Sequence, residues 1–185
     1  MFAGQIISNA AVDTEKQVTW IPSYGPEMRG GTVNCTVVIA DDEIASPFVK
    51  NPDAALVMNL PSLDKFELTV KPGGLLVVNK SMVNREVLRT DIKVIKVPCN
   101  EIAKQVGSAR LETMVAVGAL VTGLKVLSVA DAEAALNTHM PGRHKHLLAK
   151  NVEALRKGSE FAWTEFGSSL SLNVARERNK RRGTF

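Results

Sequence analysis

The chain has 185 residues, 45% of them hydrophobic and 23% charged, which suits one packed domain and excludes a disordered polypeptide. No apolar run reaches the roughly 18–20 residues of a membrane span; the longest, residues 114–129, is broken by Gly118, Thr122, Gly123 and Lys125. The opening Met1-Phe2-Ala3-Gly4-Gln5 lacks the positive start of a secretory signal, so a cytoplasmic protein is expected. The net charge is +4, and the stretch 176–182, with five basic residues and one acidic, carries it; the remainder is near neutral. Cys35 and Cys99 are the two cysteines. Neither has a second ligand at metal-binding spacing, so both read as reduced core thiols.

Residues 2–12 form an amphipathic helix, with Phe2, Ile6 and Ala10 at four-residue spacing. A polar turn at 13–16 leads to a short strand, 17–21, rich in residues of high β propensity. A glycine- and proline-marked loop, 23–31, precedes a second strand, 32–40. Apolar residues on both of its faces predict cover on both sides. Residues 54–58 are a brief apolar run. Residues 61–66 are one or two helical turns, with Ser62 as a cap and Pro61 near the first turn. Lys71-Pro72-Gly73-Gly74 marks a turn before a continuous buried strand, 75–79. A further strand spans 92–97 and ends at Pro98.

Helices follow at 100–106, closed by Gly107, at 109–122, at 129–137 and at 145–166. In the last, Leu148, Val152, Leu155, Ser159, Ala162, Trp163 and Phe166 form one stripe. Strands alternating with helices predict an α/β layered sheet, with the helices after residue 100 covering one face or edge. The domain is expected to span 1–167, and 168–185 to be a basic, mobile tail. The chain opens directly on a helix, whereas a doubly wound domain opens on a strand and a glycine-rich turn.

The stretch Trp20-Ile21-Pro22-Ser23-Tyr24-Gly25-Pro26-Glu27-Met28-Arg29-Gly30-Gly31-Thr32-Val33-Asn34-Cys35 resembles the signature of gamma subunits of 2-oxoacid:acceptor oxidoreductases, in the form seen in the 2-oxoglutarate branch. Further segments agree in order: Ser46-Pro47, Met58-Asn59, Pro61-Ser62-Leu63-Asp64-Lys65-Phe66, Val70-Lys71-Pro72-Gly73-Gly74, Val97-Pro98, Met114-Val115-Ala116-Val117-Gly118-Ala119 and Lys157-Gly158. The resemblance covers residues 2–160. It implies a Rossmann-like gamma domain whose first strand and Gly-Gly-Gln-Gly turn are missing here, and a late start assignment is the expectation for that. The implied complex oxidatively decarboxylates a 2-oxoacid to an acyl-CoA and passes the electrons to ferredoxin. No cofactor is expected in this chain. The complex uses thiamine diphosphate, Mg, iron–sulfur clusters and coenzyme A, and the partners are alpha, beta and ferredoxin-like delta subunits. A homodimer through the partner surface is expected when the chain is isolated.

Within the signature, Pro26 fixes φ, and Gly25, Gly30 and Gly31 permit close approach or positive φ. Arg29 has the geometry to clamp a carboxylate or phosphate. Tyr24, Gly25, Glu27, Arg29, Gly30 and Gly31 are therefore the candidate binding residues, on a loop facing the shared active-site cleft or the path of the acyl acceptor. Two other readings stay open: a loop that anchors a neighbouring subunit, and a Glu27/Arg29 pair bonded within the fold. Lys71-Pro72-Gly73-Gly74 lacks the phosphate-loop pattern and precedes a strand, so it reads as a turn. His139, His144 and His146 cluster with Arg143 and Lys145 as a solvated basic turn able to touch a phosphate. No catalytic triad is visible. A stand-alone nucleotide-binding enzyme would need the glycine-rich turn. A nucleic-acid-binding module would rest on the basic tail, which has no interleaved aromatics.

Overall fold

In a computed structural model, residues 1–25 and 33–182 are described, with side chains described as far as Glu165. Helix α1 (Phe2–Asp13) opens the chain. It ends where the Thr14 hydroxyl donates to the carbonyls of Ala10 and Ala11 at 3.1 and 2.9 Å, and where Glu15 takes a positive φ of 61°. The expected polar turn is therefore a side-chain stop. Strands β1 (Gln17–Tyr24) and β2 (Val33–Ala40) pair antiparallel in a two-stranded sheet of their own, from Gln17↔Ala40 to Tyr24↔Val33.

Two expectations change here. The first strand runs three residues past Ile21 and includes Pro22, opposite Cys35; a two-stranded ribbon has free edges, where a residue without an N–H is tolerated. The second strand is half-buried along its length after an exposed Val33, not covered on both sides, because this sheet has one layer of cover.

Strands β3 (Ala54–Val57), β4 (Leu75–Asn79) and β5 (Lys93–Val97) form a parallel sheet in the order β3-β4-β5. Every residue of β4 is buried, as expected for a central parallel strand with both faces covered. Helix α2 (Leu60–Phe66) is capped by Asn59, whose side chain accepts from the Ser62 amide at 3.0 Å. The cap is thus Asn59 and not Ser62, and Pro61 occupies the first turn, where a missing N–H costs nothing. Leu63 of α2 packs with Leu76, Val78, Val57 and Val70 on one face of the sheet.

The opposite face carries the larger core. Leu75, Val77, Ile95 and Val97 meet Ile6, Ala10 and Ala11 of α1 and four later helices. These are α3 (Cys99–Gln105), α4 (Glu112–Leu124), α5 (Val129–His139) and α6 (Leu148–Arg182). The expectation that the helices after residue 100 cover one face is met. α4 is buried continuously from Met114 to Thr122, which explains why it is apolar all round. α5 starts at a reciprocal cap: the Ser128 hydroxyl accepts from the Asp131 amide at 3.1 Å, and the Asp131 carboxylate accepts from the Ser128 amide at 2.7 Å.

α4 and α6 cross at two glycines. An added Cβ on Gly118 would lie 1.9 Å from the Leu155 carbonyl oxygen, and one on Gly158 would lie 1.9 Å from that of Val115. Beside the crossing, the Thr122 hydroxyl donates to the Gly118 carbonyl at 2.8 Å and lies within hydrogen-bond distance of Ser159 Oγ, at 2.7 Å. Along α6, Leu155, Ser159 and Ala162 are buried as the stripe requires, but Trp163 is 63% exposed. Phe161 packs against the core instead, so the apolar face is narrower than the sequence pattern. The backbone of α6 continues as helix through the position expected to end the domain.

Candidate functional site

The described part of the signature stretch lies on β1 and β2, the strands that flank its candidate loop. Tyr24 and Val33 are the last registered pair, 68% and 51% exposed, and Gly25 follows, half-buried. Glu27, Arg29, Gly30 and Gly31 lie outside the described residues, so the clamp expected of Arg29 is carried forward as a proposal. The hairpin is held at its middle by α1. Gly4 meets Cys35 and Trp20 so closely that an added Cβ would lie 2.5 Å from Cys35 Sγ and 2.9 Å from Trp20 Nε1. Lys16 pins the base, donating to Asp41 at 2.6 Å. Tyr24 stands four residues beyond Trp20, roughly 13 Å further along at the rise of a strand. Tyr24 therefore stands at the end of the paired strands farthest from Lys16.

The Lys71-Pro72-Gly73-Gly74 segment is a closed turn. The Gly73 amide donates to Asp91 at 2.7 Å and the Gly74 amide to Lys71 at 2.9 Å, and Lys71 pairs with Asp53 at 2.8 Å. Its amides are spent on protein carbonyls, in keeping with the turn reading. The three histidines do not converge: His139 faces both oxygens of Asp13 at 3.0 Å, and His144 accepts from Arg143 at 3.2 Å.

A charged hub beside α2 escaped sequence reading. Glu67 is 2% exposed. Its carboxylate accepts from the backbone amides of Leu88 and of Arg89, the latter at 3.1 Å, and pairs with Arg85 at 2.8 Å. Burial pushes this carboxyl up, but the Arg85 guanidinium and the two amides outweigh it and hold it below the usual carboxylate range. Arg85 also reaches Asp64, and Arg89 reaches Asp91 and the Val70 carbonyl. The hub orders the segment between β4 and β5 and leaves Leu68 and Leu88 on its outside, 74% and 76% exposed. Glu67 has no sequence signal beyond an acid beside a helix end, because its amide partners lie more than twenty residues away.

The arrangement is an α/β domain with a separate two-stranded antiparallel sheet packed on α1, and no hydrolytic or acid–base constellation assembles among the described residues. Residues 1–161 match the family model described as pyruvate ferredoxin/flavodoxin oxidoreductase. The chain belongs to that family. It is 32% identical over 160 residues to the ketoisovalerate oxidoreductase subunit VorA of Methanothermobacter thermautotrophicus, a match covering 86% of this chain and 33% of that protein. The chain thus spans about a third of the length of its VorA relatives. It is 31% identical over 165 residues to the 2-oxoglutarate synthase subunit KorC of Methanocaldococcus jannaschii, covering 88% of this chain and 87% of that one. Among solved structures it matches the gamma subunit of a keto/oxoacid ferredoxin oxidoreductase from Geobacter sulfurreducens with a TM-score of 0.74 and 29% identity, over 88% of this chain and 90% of that one.

Proposed function

We propose that this chain is the gamma subunit of a 2-oxoacid:ferredoxin oxidoreductase of the 2-oxoglutarate type, working with separate alpha, beta and ferredoxin-like delta subunits in the cytoplasm. The observation that carries the reading is mutual coverage. The match accounts for nearly the whole of KorC and of the Geobacter gamma subunit as well as most of this chain, which supports a gamma-subunit role. Thiamine diphosphate, Mg, the clusters and coenzyme A are assigned to the assembled enzyme. Two cysteines, with Cys99 in the core and its thiol pushed up to about 12 by burial and then by Glu112 and Glu101, do not fit a cluster that needs four thiolates.

Exposed apolar side chains support a subunit role. Phe48, Leu68, Leu88 and Trp163 are each more than 60% exposed, which suits burial against partners, or against a second copy when the chain is isolated. The hairpin tip is the part assigned to the shared cleft or the acyl acceptor's path, with Tyr24, Gly25, Glu27, Arg29, Gly30 and Gly31 as its contacts.

The test is affinity purification of the tagged chain from its native cell, with dye reduction assayed on the eluate. Co-purifying thiamine-enzyme and cluster subunits, and reduction that needs 2-oxoglutarate and coenzyme A, are expected. Greater activity with the branched 2-oxoacid ketoisovalerate would move the assignment to the VorA branch. Recovery of the chain alone would overturn it. In the active complex, Arg29→Ala is expected to lower turnover or raise the coenzyme A requirement at least tenfold; unchanged kinetics would remove the tip from the site.

A further inference from the structure

The two-stranded sheet turns one face to α1. Residues paired across an antiparallel ladder share a face, and alternate residues along a strand repeat it. Trp20, Pro22 and Tyr24 therefore stand on one face with their partners Val37, Cys35 and Val33. Val18 and Ile39, a pair on that same face, pack against the core that includes Ile6, Ala10 and Ala11 of α1. Further along, Gly4 touches both strands at once. A Cβ built on it would meet Cys35 Sγ at 2.5 Å, Trp20 Nε1 at 2.9 Å and Trp20 Cδ1 at 3.3 Å. Past that point the cover ends: Pro22, Ser23 and Tyr24 are exposed, and so is Val33.

Three features make Gly4 the point that fixes this end of the sheet. Glycine is less favourable than alanine inside a helix, and here the missing Cβ is what lets both strands close on the helix backbone. The contact is also one of shape, since Trp20 Nε1 is buried and bonds to no other protein atom among the described residues. No directional bond holds the indole once the packing changes. Finally, the ladder outruns its support. α1 begins at Phe2, about 3 Å before Gly4 at the rise of a helix, while Val33 stands two residues beyond Cys35, about 7 Å at the rise of a strand. The Lys16–Asp41 pair ties the opposite end, and α1 is the element on which both strands chiefly rest.

We propose that Gly4 is a positioning residue for the subunit's reaction: by seating Trp20 and Cys35 it fixes where the Tyr24–Val33 pair stands past the start of α1, and so where Tyr24 and Gly25 meet the acyl acceptor. The inference rests on the reading of Tyr24 and Gly25 as contacts in the assembled enzyme. Gly4 acts through the sheet and is assigned no contact of its own with a substrate.

Tyr24 is the chain's one tyrosine, so incorporation of 3-fluorotyrosine gives a single fluorine resonance at the position in question. In the full chain, Gly4→Ala is expected to shift that resonance. Adding Cys35→Ala, which removes the atom nearest the new methyl group, is expected to bring it most of the way back. In the assembled enzyme, Gly4→Ala is expected to raise the KM for coenzyme A on the order of tenfold, less than the roughly hundredfold that a misplacement of about 1 Å can cost. The change in kcat should be smaller, and Cys35→Ala should again restore most of the loss. Trp20→Phe withdraws the indole edge from the Gly4 side and is expected to act in the same direction; it carries the test if Gly4→Ala does not fold. An unmoved resonance, no recovery with Cys35→Ala, or a lower Tm with unchanged kinetics would make Gly4 a packing residue and overturn the inference. Impaired kinetics in Tyr24→Ala with none in Gly4→Ala would overturn it as well, and would leave the reading of the site intact. Unchanged kinetics in Tyr24→Ala would remove both, whatever Gly4→Ala does.

Discussion

The parallel sheet and the hairpin are built on opposite terms. β4 is buried at every position and lies between α2 on one face and the α1–α4–α6 layer on the other. Neither strand of the hairpin has a fully buried residue. An isolated two-stranded ribbon is marginal in water, so the hairpin depends on the single helix it leans on. The family signature lies on the dependent element, while the structural determinants lie in the sheet and its helices. Stability and the candidate contacts are therefore separable: a lesion in the helical layer lowers the whole fold, and one at the α1–hairpin seam moves the arm alone.

The sharpest test of the first half is Gly118→Ala, with Gly158→Ala as its mirror. Each methyl group would meet a backbone carbonyl at 1.9 Å, and backbone cannot rotate aside as a side chain can. α4 and α6 must separate, and the buried Thr122–Ser159 bond goes with them. The expected cost is about 3 kcal/mol, the upper end for overpacking. It should appear as a fall in Tm of roughly 6–12 °C for a domain of this size. Gly142→Ala is the control, since nothing lies within 4 Å of its added Cβ. A Tm unchanged in all three would mean that the helices do not cross as described.

A smaller effect is expected at Glu67. Its folded pKa is depressed, so the stability it contributes is present above the unfolded carboxylate pKa and is lost as pH falls through the folded value. Glu67→Gln removes the charge but keeps the size, leaving Arg85 with Asp64 alone and one amide bond weakened. The expected loss is about 2 kcal/mol at neutral pH. The difference from the parent chain should close as pH falls through that depressed folded value and the parent's own carboxyl protonates. A gap that stays constant down to acid unfolding would show that Glu67 acts through packing and not through its charge.

Much of the sheet was legible in the sequence because buried parallel strands leave continuous apolar runs: 75–79 matched to the residue, and 92–97 differed by one. The helices after residue 100 were legible from spacing and caps. What was hidden depends on contacts distant in sequence. Gly118 read only as a break in an apolar run, because its partner, the Leu155 carbonyl, is on another helix. The split into two sheets was hidden because a strand's period reports its faces and not its neighbours. The signature located the hairpin.

The least disruptive change tests the seam itself. Gly4→Ala brings a methyl group against Cys35 Sγ and Trp20 Nε1, at 2.5 and 2.9 Å, so the hairpin must shift off α1. The same substitution favours the helix by about 1 kcal/mol, which offsets much of the global cost, and Tm should move by no more than a few degrees. The local readout is the thiol of Cys35, half-buried against that seam. Its alkylation is expected to speed up about tenfold, in line with a seam weakened by roughly 1.4 kcal/mol. Cys99, buried and pushed up to about 12, stays silent in both proteins and serves as the internal standard, since only the thiolate reacts. Faster labelling of both cysteines would mean that the arm and the core open together, and the separation between the two regions would fail.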